Sequence, residues 1–108
     1  MSAVRVCALS DLEQDTPLRV EADGVPIAVV LDSAGEVHAI GDVCTHGEVS
    51  LSEGFVDEDT LECWAHGSAF SLRTGHPLNL PAYEPVPVYL VEIDGDDVLI
   101  DPTTTKEI

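Results

Sequence analysis

Cys44-Thr45-His46-Gly47 and Cys63-Trp64-Ala65-His66-Gly67-Ser68 decide how the rest of this chain is read. They form two short Cys/His pairs, spaced Cys-x-His and Cys-x-x-His, with residues 48–62 between them. No other stretch of the sequence gathers thiol and imidazole donors in this way. Each pair is followed at once by Gly, which lets the backbone turn tightly and bring its amides close to a bound anion or cluster.

Two thiolates and two imidazoles can hold a tetrahedral zinc ion. They can also divide between the two irons of a [2Fe–2S] cluster, both Cys on one iron and both His on the other. The spacing separates these alternatives. Structural zinc sites of this composition usually pair Cys with Cys across a turn and His with His along a helix. Here each short loop carries one of each, and neither loop reads as helical. Such a loop can set its thiolate on an inner iron and its imidazole on an outer one. The candidate ligands are therefore Cys44, His46, Cys63 and His66, around a [2Fe–2S] cluster.

Outward from the donors, composition bounds the rest. The 108 residues suit a single domain, 1–108, and a hydrophobic fraction of 44% is enough to build a core. No apolar run reaches membrane-spanning length, and residues 1–11 lack a basic stretch followed by an apolar one, so the expectation is a cytoplasmic protein without a membrane anchor. Lys and Arg number 4 against 21 Asp and Glu, a formal charge of −17. Nucleic acid and anionic membranes would be repelled, whereas basic patches on redox partners would be sought, in fast and salt-sensitive encounters. Cys7 alternates with Val6 and Ala8 and reads as a small buried hydrophobe.

Period-two alternation and closely spaced turns predict an all-β chain with no helix. Strands are expected at 4–9, 17–21, 25–31 and 36–40, with Asp23-Gly24 as a hairpin turn. After Gly41-Asp42 the first ligand loop begins. Residues 55–57 and 60–62 read as a short hairpin that returns the chain to the second loop, and 69–72 as the strand after it. Residues 86–93 and 98–100 return to the base sheet, with a frayed tail from Asp101 onward.

The pattern C-x-H then C-x-x-H resembles the Rieske motif, and the chain resembles the Rieske-type ferredoxins of multicomponent aromatic-ring-hydroxylating dioxygenases. The likeness covers nearly the whole sequence, including Thr74-Gly75 and the run from Pro81-Ala82 through Val86-Pro87-Val88 to the closing hairpin. Carbazole-, biphenyl-, naphthalene- and cumene-type systems all fit these motifs, and the carbazole type is the single member we would name. The resemblance implies antiparallel base sheets with a cluster-binding subdomain at about 43–80 inserted between them. It also implies a monomer with one cluster, passing single electrons from a flavin-containing reductase to a terminal oxygenase. Both partners would dock near His46 and His66, and the chain would catalyse nothing itself. A nitrite-reductase small subunit is the alternative. An oxygenase is not, because a mononuclear iron needs two His and a carboxylate. Only His38 and His76 remain once the cluster is built.

Two ferric ions, two sulfides and two thiolates sum to zero charge, so histidine ligation eases reduction and places the potential between about −150 and +300 mV. The resemblance narrows this. High-potential relatives join a cysteine in each ligand loop by a disulfide, where this chain has Val49 and Ala65. They also aim a Ser and a Tyr hydroxyl at cluster sulfur. Ser68 matches the first, but Phe70 replaces the second. With Glu48, Glu53 and Glu62 nearby in sequence, the expectation is a potential toward the lower end. Trp64 is expected to shield the cluster and Pro81, by resemblance, to cover it. His38 reads as a surface or hydrogen-bonded histidine, and His76 as structural.

Overall fold

The structure is a computed structural model and describes residues 3–42, 50–57, 60–64, 69–78 and 86–105. Its base is a six-stranded antiparallel sheet built from β1 (Val4–Ala8), β2 (Leu18–Ala22), β3 (Val25–Leu31), β4 (Val37–Gly41), β8 (Val88–Asp94) and β9 (Asp97–Thr105). The spatial order is β1-β9-β8-β4-β3-β2, and the outer strands β1 and β2 approach each other, so the sheet curls toward a barrel. The strands β5 (Phe55–Asp57), β6 (Thr60–Glu62) and β7 (Ala69–Ser71) make a second sheet from the chain between β4 and β8.

β3 shows why the architecture holds. Its run VPIAVVL is apolar without alternation because both of its faces are buried. Ile27 and Val29 point into the curled sheet with Cys7, Ala39, Tyr89, Val98 and Ile100. Ala28 and Val30 point the other way, into a second core with Ile40, Val88, Leu51, Leu61, Cys63, Phe70 and Leu72. That second core joins the two sheets. Local pairings supply most of the register. Ala22 pairs with Val25 across Asp23-Gly24, and Asp23 adopts a left-handed φ of 50° there, as the tight turn demands.

Two expectations need correction. Residues 101–105 are not a frayed tail: β9 runs to Thr105, which pairs with Tyr89. The register slips between Val91↔Ile100 and Tyr89↔Thr105, and Pro102 falls inside that irregularity, where its missing N–H breaks no ladder bond. Strand β1 also stops one residue early. Leu9–Asp11 tighten into a 3-10 turn whose Asp11 carboxylate accepts the Ala8 N–H. A second 3-10 turn at Leu51–Glu53, which periodicity did not signal, leads from the first ligand loop into β5.

Candidate metal centre

Of the four expected ligands, Cys63 is described, while Cys44, His46 and His66 lie outside the described residues. Cys63 follows β6 directly and is fully buried among Leu51, Leu61, Phe70 and Leu72. A thiol donor in a dry apolar shell suits an iron–sulfur centre, since that shell limits solvent access to the metal. The described residues that flank the two expected ligand loops lie close together. Residues 65–68 connect the end of β6 to the start of β7, and the first loop feeds β5 at Phe55. Phe55, Glu62 and Ala69 are register partners across the small sheet. The described residues that flank the two loops therefore meet at one end of that sheet.

The first loop is framed by a residue that the spacing argument missed. Asp42, at the end of β4, is 1% exposed. One carboxylate oxygen accepts the Ser52 N–H at 2.8 Å; the other accepts the Ser50 hydroxyl and, at 3.1 Å, the Arg19 Nε–H. Its backbone carbonyl accepts the Leu51 N–H, and its own N–H donates to Pro26 of β3. An Asp beside a ligand loop with Ser-x-Ser beyond it is the sequence signal, because such side chains bond nearby backbone.

Two glycines set close approaches here. A Cβ on Gly54 would lie 1.9 Å from the carbonyl oxygen of Glu62, so only glycine lets the chain pass beneath the end of β6 next to Cys63. Gly75 has φ of +77° and faces the Val86 carbonyl just as tightly, and its own carbonyl accepts the Val86 N–H. That bond brings Gly75 and Val86 together, with Pro81 among the residues between them.

Phe70 is fully buried in the core that contains Cys63. Trp64 is 52% exposed, so its indole faces solvent more than the shielding expectation implied, and Phe55 and Leu78 are also exposed. Leu78 is tied to this same end by its N–H to the Ala69 carbonyl. Glu53, Glu62 and His76 are exposed, and Glu48, Val49, Ala65, Ser68 and Pro81 lie outside the described residues. His38 is buried and hydrogen-bonded, as expected of it: its Nε2–H donates to Asp32 at 2.7 Å. That bond, with the Ala34 and Glu36 backbone N–H groups, holds the Asp32 carboxyl below its ordinary range. Arg73, beyond β7, binds Glu36 at 2.9 Å and reaches Asp32 at 4.0 Å. Asp32, Glu36 and His38 could together ligate a cation, but the Arg73 guanidinium already pairs with both carboxylates. We read this group as an ion-pair network joining the β3–β4 turn to the small sheet.

The Rieske [2Fe-2S] domain family matches residues 2–90 of this chain. The 3-phenylpropionate/cinnamic acid dioxygenase ferredoxin subunit of Escherichia coli (strain K12) is 37% identical over 102 residues, 94% of each chain. Among solved structures, the ferredoxin of carbazole 1,9a-dioxygenase from Nocardioides aromaticivorans IC177 superposes with a TM-score of 0.89 at 36% identity, covering 94% of this chain and 99% of that one. A complex of reduced oxygenase and oxidized ferredoxin in carbazole 1,9a-dioxygenase contains a chain 40% identical to this one, with a TM-score of 0.83 and 91% of each covered.

Proposed function

The chain belongs to the Rieske [2Fe–2S] family, and from that premise we propose that it is the ferredoxin component of an aromatic-ring dioxygenase system. In this role it is a carrier of single electrons, not the catalytic subunit. The observation that carries this reading is its likeness to ferredoxins of dioxygenases, which it matches over nearly the whole length of both chains. The cluster, when bound, supplies a one-electron couple toward the lower end of the range that histidine ligation gives.

Cys44 and Cys63 would hold one iron and His46 and His66 the other, within a cluster-binding subdomain of about 43–80 inserted in the base. Supporting this are the buried thiol of Cys63 and the meeting, at one end of the small sheet, of the described residues that flank both loops. The chain's own residues do the rest. Leu51, Leu61, Phe70 and Leu72 keep water from the Cys63 side. The exposed Trp64, Phe55 and Leu78 border the other side, where a partner would meet the cluster. We take the partners to be a flavin-containing reductase and a terminal oxygenase, which meet the monomer in turn at the tip near His46 and His66. Among the described residues no helix is long and apolar enough to cross a membrane, in keeping with a cytoplasmic carrier.

The test is ligand replacement. Cys44→Ser and Cys63→Ser should abolish the visible absorbance and the reduced Rieske electron-paramagnetic spectrum, whereas Cys7→Ser should keep both. A full-strength spectrum in either ligand variant would refute the assignment.

A further inference from the structure

We propose that Asp42 is a positioning residue for the first ligand loop, holding its two ends together and so setting the relative placement of Cys44 and His46. This rests on the ligand assignment above. The two ligand loops are closed in different ways. The second is closed by sheet pairing, since Glu62 and Ala69 face each other across β6 and β7. The first leaves the end of β4 and enters a 3-10 turn, and Asp42 supplies the bonds that join those ends. Its carbonyl accepts from Leu51, one carboxylate oxygen accepts from the Ser52 N–H, and the other accepts from the Ser50 hydroxyl. Ser50 and Ser52 are bonded to each other at 2.8 Å, so residues 50–52 move as a unit on that carboxylate.

The carboxylate is in turn held from the base. Arg19 on β2 donates to it at 3.1 Å, and the Asp42 N–H donates to Pro26 of β3 at 3.2 Å. At 1% exposure, a carboxylate costs desolvation free energy that an apolar side chain would not incur. That Asp rather than Leu occupies the place is explained by what it binds, both sides of the seven-residue segment 43–49. Groups that orient metal ligands from behind typically change metal affinity about 10–100-fold when removed.

The experiment compares the cluster-loaded protein with its Asp42→Asn, Asp42→Ala and Ser50→Ala variants, and with Asp32→Asn as a second buried carboxylate outside the ligand loops. Two quantities are read well below the melting temperature: the line positions of the reduced electron-paramagnetic spectrum and the rate of iron release to a ferrous chelator. Asp42→Ala should release iron about 10–100 times faster and shift the line positions. Asp42→Asn should fall between, because the amide oxygen can keep the Ser52 bond while the acceptor for Ser50 and Arg19 is lost. Ser50→Ala should shift the lines in the same sense, and it carries the test if Asp42→Ala does not fold. Asp32→Asn should lower the melting temperature and leave both readouts alone. Line positions and release rates in Asp42→Asn and Ser50→Ala equal to those of the unsubstituted protein would overturn the proposal, whatever the melting temperature does. Absence of a Rieske spectrum from the unsubstituted protein would overturn the ligand assignment and this proposal with it.

Discussion

By resemblance, Phe70 takes the place of a hydroxyl aimed at cluster sulfur, and it is fully buried in the core that holds Cys63. Phe70→Tyr adds one oxygen to that packed site. A hydrogen bond to a charged acceptor contributes about 1.5–3 kcal/mol, whereas a buried hydroxyl without a partner costs about 1–3 kcal/mol. The two outcomes are therefore separable. If the hydroxyl reaches a cluster sulfur, voltammetry should show the potential raised by tens of millivolts, since about 59 mV corresponds to a factor of ten for one electron. No shift, with a lower melting temperature, would mean that the ring edge points away from the cluster. Cys7 makes the complementary case. Burial pushes its thiol pKa up, and it packs inside the curled sheet, so Cys7→Ser should leave iron content unchanged. The candidate ligands could be proposed from the sequence because thiols and imidazoles are rare and their spacing is chemical. Asp42 was not legible in that way: one Asp among 21 acidic residues looks like solvated surface until folding buries it.

The elements carry strain and charge that single residues do not. Gly54 lets the 3-10 turn at Leu51–Glu53 enter β5 beneath the Glu62 carbonyl. Gly54→Ala must push backbone against backbone, and overpacking of this kind costs about 1–3 kcal/mol or more. Calorimetry should show the melting temperature lowered by about 4–8 °C per kcal/mol for a domain near this size. The Asp32–His38–Glu36–Arg73 network predicts a pH dependence. The folded Asp32 carboxyl titrates below its unfolded value of about 3.9, so its contribution is fully present above that pH and lost as pH falls through the lower folded value. Asp32→Asn should be less stable than the parent at pH 7, and the gap should narrow in melts recorded below about pH 4. Most strands were readable from alternation or, for β3, from an unbroken apolar run, and β3, β5 and β6 fall where the sequence reading put them. Residues 101–105 were not, because Asp-Pro reads as a strand terminator. It is tolerated here by the register slip opposite Tyr89 and Val91, which only the third dimension reveals.

Across the whole molecule, a charge of −17 is carried with four cationic side chains. The three arginines among the described residues are all bound to carboxylates: Arg5 to Asp97, Arg19 to Asp42 and Glu21, and Arg73 to Glu36. Each joins elements, β1 to β9, β2 to the end of β4, and the small sheet to the β3–β4 turn. The three described arginines thus serve folding, and the acidic surface is left to attract partners. Screening sets in over about 8 Å at physiological ionic strength. Stopped-flow reduction by a partner reductase should slow as salt rises, and Glu53→Lys, near the ligand loops, should slow it more than Asp94→Lys at the β8–β9 turn. Equal rates in the two variants, indifferent to salt, would exclude electrostatic docking at the tip. Finally, β3 lends one face to each core, so neither core can be loosened without disturbing the other. Hydrogen exchange makes this visible: the amides of β3 should exchange last and at a single rate. A substitution in either core should speed them alike, because the redox end of the molecule and its base open as one cooperative unit.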